Sequence, residues 1–301
     1  MKTNVQAFNM ALSIFIIFFI VMPCGYLWYM IQSYNCILVE AWNEEKTLQD
    51  QLKASQADLE LAVEKNEHLR WEIFFLRHDQ LKGGLFYHGD RSGNRVSITI
   101  DDGYSPEMVE QALDICLDLG VQATFFPVGL SLEAYPALWK RAVREGHELG
   151  NHTYSHRYLT ALTADEIFRE ITQWHNAAEY ALGQPYHAVF FRPPGMAGFS
   201  ESSRQAEYFR SIIASHKMIT VLWDIETVYT LYSRSGPQRA GGNPSPLSTA
   251  SYITREARGG SIILLHFVGG DVEALPEIIR GLTAKGLQPV TLSELLFSSS
   301  L

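Results

Sequence analysis

The residues that decide the fold are Arg95–Gly103, which read RVSITIDDG. The apolar and β-branched residues of this stretch predict a buried strand, Arg95–Ile100, and the glycine after the two aspartates predicts a turn. Ligands of parallel α/β folds gather at the carboxyl ends of the strands. Asp101 and Asp102 therefore fall where such a fold would hold its ligand, although Asp-Asp-Gly is also common in ordinary turns.

Downstream of this strand, short apolar runs alternate with helical patterns as far as Leu296. The helical patterns include Thr163–Leu182 and Ala274–Lys285. The apolar runs predict further strands at Ala123–Pro127, Ala188–Phe191, Ile219–Trp223, Ser261–Leu265 and Gln288–Thr291. Repeated β-α units of this kind predict a parallel sheet with helices packed against it. Closure of the sheet into a barrel suits a segment of this length.

Upstream, Ala41–Leu81 contains neither proline nor glycine and is rich in residues that favour helix. A heptad frame fits this segment, with core positions at Leu48, Leu52, Ser55, Leu59, Ala62, Asn66, Leu69, Ile73 and Leu76. A single Asn at an a position, here Asn66, favours two-stranded pairing in one register. We therefore predict a parallel coiled-coil homodimer. The alternative is one amphipathic helix packed on the domain that follows.

The amino-terminal segment Phe8–Ile31 is strongly apolar, and no charged residue lies between Lys2 and Glu40. About 20 apolar residues in a helix suffice to cross a bilayer. Residues 8–31 thus predict a single-pass transmembrane helix, and the alternative is a cleaved signal peptide. Lys2 before the helix and Glu40 after it place the rest of the chain outside the cytoplasm. The predicted segments are an anchor (1–35), a coiled-coil stalk (36–82), a linker (83–94) and an α/β domain (95–301).

The composition narrows the classes of function. Of 301 residues, 47% are hydrophobic and 19% are charged, so the chain can bury a core and is not globally disordered. Its 24 basic and 33 acidic residues give a net charge of -9, which argues against general binding of nucleic acid. Three cysteines are too few for a disulfide framework or a four-thiolate zinc site.

Three short motifs downstream of Asp102 carry side chains that can do chemistry. His152 and His156 stand four residues apart, so both imidazoles would reach one ion from the same face of a helical turn. Arg192 precedes two prolines and a glycine, a rigid context that suits a clamp for a carboxylate. His266 ends an apolar strand and titrates near neutral pH. Each motif alone also fits a surface pair, a turn or a structural histidine.

Taken in order, DDG at 101–103, HTYSH at 152–156, RPPG at 192–195 and LLH at 264–266 resemble the NodB-homology polysaccharide deacetylases, carbohydrate esterase family 4. The likeness covers about Arg95–Phe297 and includes ATFFPVG at 123–129. Each motif is short, but the ordered set is specific. The resemblance implies a distorted (β/α) barrel and a divalent metal, usually Zn²⁺. It implies that Asp102, His152 and His156 are the metal ligands.

The same resemblance implies a role for each of the other motif residues. Asp101 matches the general base and Arg192 the residue that orients it, while His266 matches the general acid. The backbone N–H of Gly195 matches the group that polarises the acyl oxygen. Leu264 would help line the pocket for the acetyl methyl group.

The sequence departs from the family pattern at two places. Gly195 stands where a tyrosine is frequent, so a side-chain wall of the site is expected to be lost. The fourth motif normally carries an Asp-Trp pair, but Tyr229 and Thr230 stand there. The carboxylate that tunes the catalytic histidine is therefore missing. We expect Glu226 to take this role in part, and Asp224 less so because it lies at the predicted strand end.

The resemblance thus predicts a hydrolase of non-peptide amide bonds that removes N-acetyl groups from a cell-surface or extracellular polysaccharide. Peptidoglycan is the favoured substrate, because an anchored stalk would hold the enzyme near the wall. One alternative is a deacetylase or deformylase of another acylated glycan, such as a chitin-like polymer, xylan or a lipid-linked sugar. The other is a catalytically impaired glycan-binding scaffold, which the altered fourth motif favours and the intact motif residues oppose.

Overall fold

The structure, a computed structural model, describes residues 24–77, 84–199, 204–227 and 245–297. The chain divides into two compact units, of which the first ends at Phe74 and the second begins at Phe75. Helix α1, Cys24–Arg77, is 54 residues long and accounts for the described part of the first unit. The second unit is an α/β domain that contains every other described element.

Helix α1 covers most of the predicted stalk, as expected for a segment without proline or glycine. Its heptad residues Leu48, Leu52 and Leu59 are exposed in the single chain, so their pairing with a second copy stays a prediction. Within the described ranges, no helix is both long and apolar enough to cross a bilayer. Most of the predicted membrane span falls in residues 1–23, which lie outside those ranges.

The α/β domain alternates short strands with helices along the described chain. Its strands are β1 Leu85–Phe86, β2 Arg95–Asp102, β3 Thr124–Pro127, β4 Glu148–Leu149, β5 Phe190–Phe191, β6 Ile219–Val221, β7 Ile225–Glu226, β8 Ile262–His266 and β9 Gln288–Pro289. Its helices are α2 Pro106–Asp118, α3 Gly129–Ala134, α4 Pro136–Arg144, α5 Ala164–Leu182, α6 Arg204–Ser215, α7 Pro246–Glu256, α8 Gly269–Ala284 and α9 Leu292–Phe297. Two short 3₁₀ turns lie at Leu159–Ala161 and Pro194–Met196.

The described strands form two parallel sheets, which corrects the expectation of one closed barrel. The larger sheet has the order β4-β3-β2-β8-β7, with β9 also paired to β2, and the smaller has the order β1-β6-β5. Isolated bridges link the two sheets. Asn151 pairs with Phe191, and His88 pairs with Ser261. Strands β4, β5 and β7 are two residues long, so they offer too few ladder hydrogen bonds to join the sheets continuously.

Strand β2 lies at the centre of the larger sheet and is buried on both faces. Its apolar residues Val96, Ile98 and Ile100 belong to the hydrophobic core. The alternate residues Ser97, Thr99 and Asp101 form a buried polar face. Parallel pairing with β8 sets Thr99 opposite Leu264 and Asp101 opposite His266. The fold therefore brings two sequence-predicted site residues side by side at the carboxyl end of the sheet.

Candidate active site

The two adjacent aspartates take different positions because the chain turns between them. Asp101 ends the buried polar face of β2 and is itself buried. Asp102 has a φ of 80°, outside the extended region of a strand, and Gly103 follows with a φ of 83°. A Cβ on Gly103 would lie 2.5 Å from Trp139 Cζ2, so glycine is required there. Both carboxylates approach His152 Nε2, at 3.7 Å from Asp101 and 3.6 Å from Asp102.

His152 and His156 lie in a loop, not on the helical turn that their spacing predicted. Thr153 and His156 have φ values of 66° and 61°, which are incompatible with a right-handed helix. Glu170 from α5 holds the loop by accepting a hydrogen bond from the Ser155 N–H at 2.8 Å. The Thr153 hydroxyl accepts a second one from the His156 N–H at 3.0 Å. Left-handed residues and a buried carboxylate thus bring the two imidazoles together.

Asp102, His152 and His156 form a cluster whose metal-ligating atoms all lie within 4.8 Å of one another. His156 Nε2 is 3.3 Å from Asp102 Oδ1. His152 Nδ1 donates to the Arg192 carbonyl oxygen at 2.8 Å, which leaves Nε2 to face the cluster. Asp102 Oδ1 is buried and, among the described residues, has no hydrogen-bond partner. An unpaired buried acceptor beside two imidazole nitrogens fits a divalent cation.

The charge states of this cluster also suit a cation. Burial by itself would raise the pKa of Asp102, but His152 and His156 bring it below its usual value. Burial lowers the pKa of His156, and the neighbouring His152 lowers it further. A carboxylate and a neutral imidazole are the forms that bind a metal ion.

Arg192 is completely buried, and four hydrogen bonds fix its guanidinium group. Nη1 donates to Asp101 Oδ1 at 2.7 Å and to Thr99 Oγ1 at 2.8 Å. Nε and Nη2 donate to the carbonyl oxygens of Val221 and Leu222, at 3.1 and 3.2 Å. The guanidinium therefore holds the Asp101 carboxylate in one orientation, which is the geometry that the predicted clamp requires.

The carboxylate beside His266 is Asp271, in the first turn of α8. Asp271 is completely buried, and its Oδ2 lies 3.8 Å from His266 Nδ1 and accepts the His266 backbone N–H at 2.9 Å. The Thr227 hydroxyl donates to Asp271 Oδ1 at 3.1 Å. Burial alone would lower the pKa of His266, but Asp271, Asp101 and Asp102 raise it above its usual value. The structure thus favours an imidazolium at this position.

Asp224, the less favoured of the two partners expected for His266, lies elsewhere, and the carboxylate beside the histidine is Asp271. Asp224 accepts hydrogen bonds from the Arg91 guanidinium and from the Ile262 N–H, both at 2.7 Å. Ile262 begins β8 and His266 ends it, so Asp224 lies at the opposite end of that strand. Its role is to anchor the start of β8.

Glu226 pairs in register with Leu264 on β8, two residues before His266, and its expected role as a partner of His266 stays a prediction. Tyr229 and Thr230 fall outside the described residues. The sequence did carry a signal for Asp271, because an acidic residue after two glycines is typical of a first helical turn. The sequence pattern predicts this helix only from Ala274 onward, so Asp271 falls outside the predicted helix.

Gly195 and Leu264 occupy positions that suit their predicted roles. Gly195 is exposed with a φ of 59°, and a Cβ there would lie 2.7 Å from Tyr158 Cε1. The ring of Tyr158 therefore fills the space that a side chain at 195 would take. Leu264 is buried two residues before His266, so both side chains lie on one face of β8.

Comparison with known proteins identifies relatives of this chain. The sequence profile described as polysaccharide deacetylase matches residues 88–209. A peptidoglycan-N-acetylglucosamine deacetylase of Bacillus cereus is 32% identical over 208 residues, which cover 67% of this chain and 87% of that protein. A peptidoglycan-N-acetylmuramic acid deacetylase of Bacillus subtilis is 28% identical over 225 residues, which cover 73% of this chain and 78% of that protein.

The fold is shared with solved structures of the same group. A CE4 family pseudoenzyme from Bacillus anthracis is similar with a TM-score of 0.61 and 25% identity, over 72% of this chain and 70% of that one. The profile match, the 32% identity and the shared fold lead to one conclusion. This chain belongs to the polysaccharide deacetylase family, and it is a hydrolase of the deacetylase type.

Proposed function

We propose that this protein is a metal-dependent N-deacetylase of an N-acetylated cell-surface polysaccharide. The observation that carries the proposal is the buried, unpartnered Asp102 Oδ1, which faces the Nε2 atoms of His152 and His156. The Asp101–Arg192 ion pair lies next to this cluster. A cation site and a fixed carboxylate in one pocket are the parts that amide hydrolysis needs.

Asp102, His152 and His156 would hold the divalent cation, and this donor set suits Zn²⁺. A cation held there would supply Lewis acidity to the acyl oxygen and to a water molecule.

The chain's own residues then move the protons. Asp101, held by Arg192, accepts a proton as the water oxygen bonds to the acyl carbon. The backbone N–H of Gly195 donates a hydrogen bond to the oxyanion that forms. His266 gives its proton to the nitrogen as the C–N bond breaks, so that the products are acetate and a free amine. Leu264 packs against the acetyl methyl group.

The pair formed by half-buried His266 and buried Asp271 also separates this proposal from the alternative of a non-catalytic scaffold. Similarity to a pseudoenzyme favours that alternative. The missing Asp-Trp pair would do so too, because the histidine would lack a carboxylate partner. Asp271 supplies a carboxylate 3.8 Å from the His266 ring, which supports an active site.

Acetate release from peptidoglycan, chitin oligomers and acetylated xylan tests the proposal. We expect release from an N-acetylated polymer, and a loss of about 10²–10⁴-fold in Asp101→Asn because an amide cannot accept the proton. Asp165→Asn, the same change at an exposed residue of α5, serves as the matched control. Full activity of Asp101→Asn would refute the assigned role, and release only from xylan esters would refute N-deacetylation.

The substrate proposed is peptidoglycan, because relatives with 32% and 28% identity carry that substrate in their names. Those two relatives act on different sugars, N-acetylglucosamine and N-acetylmuramic acid. Analysis of the released disaccharides by mass spectrometry would assign the deacetylated sugar.

We further propose that residues 8–31 anchor the chain in a membrane, with the hydrolase outside the cytoplasm, and that the helix after them pairs into a homodimer. The apolar composition of residues 8–31 supports the first point. The uninterrupted helix α1 with exposed Leu48, Leu52 and Leu59 at heptad positions supports the second. Membrane fractionation tests the anchor. Light scattering on residues 36–301 tests the dimer, and a monomeric mass would contradict it.

A further inference from the structure

Large apolar side chains are exposed next to the residues of the site. In four segments an exposed apolar residue follows a site residue by one or two positions. These are Tyr104 after Asp102, Tyr158 after His156, Met196 after Gly195 and Val268 after His266. Their exposed fractions are 51%, 55%, 37% and 48%. Single exposed apolar residues are ordinary, but several at the segments of one polar site indicate a surface that binds apolar groups.

Tyr158 is the most exposed of these four side chains, and a hydrogen bond and a buried neighbour hold its backbone. Its carbonyl oxygen accepts the Ala161 N–H at 3.0 Å, and the next residue, Leu159, is completely buried. Its ring centroid lies 6.4 Å from that of His156. The ring also occupies the space beside Gly195 that a side chain at that position would take. Tyr158 thus stands between a proposed metal ligand and the proposed donor to the acyl oxygen.

We propose that Tyr158 is a stacking platform for the sugar ring that carries the reacting N-acyl group. A pyranose ring exposes C–H groups on its faces, and these pack on an aromatic ring while the hydroxyl groups stay in water. Because Gly195 has no side chain, the Tyr158 ring can take the place of the wall that the sequence suggested was lost. The proposal rests on the proposed function, and it names a residue that sets specificity for a sugar.

Binding of chitotetraose to the Asp101→Asn background tests the platform without turnover. We expect Tyr158→Ala to weaken the affinity about tenfold and Tyr158→Phe to change it less than about twofold, since phenylalanine keeps the ring. Tyr180→Ala, which removes an exposed tyrosine of α5, should leave the affinity unchanged. Unchanged affinity in Tyr158→Ala, or an equal loss in the Phe and Ala variants, would overturn the proposal.

Two further measurements exclude a merely structural role for Tyr158. Hydrolysis of 4-nitrophenyl acetate, which has no sugar ring, should fall by much less in Tyr158→Ala than the affinity for chitotetraose does. The content of bound divalent metal should be the same in both proteins. A parallel loss of ester hydrolysis or of metal would show that Tyr158 supports the His156 loop instead. If the wild type binds chitotetraose but releases no acetate, the proposed activity fails while the platform stands.

Discussion

Removal of the Arg192 side chain should destabilise the domain more than most core substitutions. In Arg192→Met the apolar stem is kept, but four hydrogen bonds are lost. Asp101, with 2% of its surface exposed, then remains as a buried carboxylate without its countercharge. Breaking a buried pair from one side costs about 3–5 kcal/mol, because the remaining charge is no longer compensated. We expect the free energy of unfolding to fall by this amount.

Urea unfolding at neutral pH, followed by the fluorescence of buried Trp139 and Trp174, measures this loss. A chelator keeps metal binding out of the comparison. The double variant Arg192→Met with Asp101→Asn removes the buried charge as well, so it should regain about 1–3 kcal/mol relative to the sum of the single variants. A loss below about 1 kcal/mol in Arg192→Met, or simple additivity in the double variant, would refute the reasoning.

Three further predictions concern metal, proton donation and acid stability. His152→Ala combined with His156→Ala should abolish the bound divalent ion, as measured by elemental mass spectrometry, and retention of the ion would place the site elsewhere. Asp271→Asn should lower the pKa of His266, so the alkaline limb of the kcat profile should move to lower pH; an unmoved limb would show that the other carboxylates suffice. Burial lowers the pKa of His147 to about 4. At a pH below about 6.5, the usual pKa of histidine, the unfolded chain therefore binds a proton at this residue and the folded chain does not. Stability should therefore fall by about 2 kcal/mol between pH 7 and pH 5, and this part of the fall should disappear in His147→Gln in urea titrations at both pH values.

Sequence patterns predicted the longer elements of the domain because these carry enough residues for a period. Strand β2 and helix α5 were located to within one or two residues. Strands β4 and β7 were missed because two residues show no alternation. The resemblance implied a closed barrel, whereas the described strands form two sheets that are linked by isolated bridges.

The candidate site was predictable in its residue types but not in its local geometry. The spacing of His152 and His156 suggested a helical turn, whereas two left-handed residues produce the convergence. Such backbone conformations have no strong sequence signal outside glycine and asparagine. The partner of His266 was missed because the start of α8 was placed five residues too late, at Ala274 instead of Gly269. The position of Asp271 beside the proposed general acid depends on where α8 begins, and sequence patterns define the interior of a helix better than its ends.

The position of Asp271 has a consequence for how this protein can vary. His266 and its carboxylate neighbour belong to one strand–helix unit and are five residues apart in the chain. A single exchange of this short segment would therefore transfer the proposed general acid together with a carboxylate that raises its pKa. Thr227, directly after β7, donates a hydrogen bond to Asp271 and so ties the two segments together. Residues 228–244 contain neither aspartate nor glutamate, so a carboxylate beside His266 has to come from another segment, such as the one that carries Asp271.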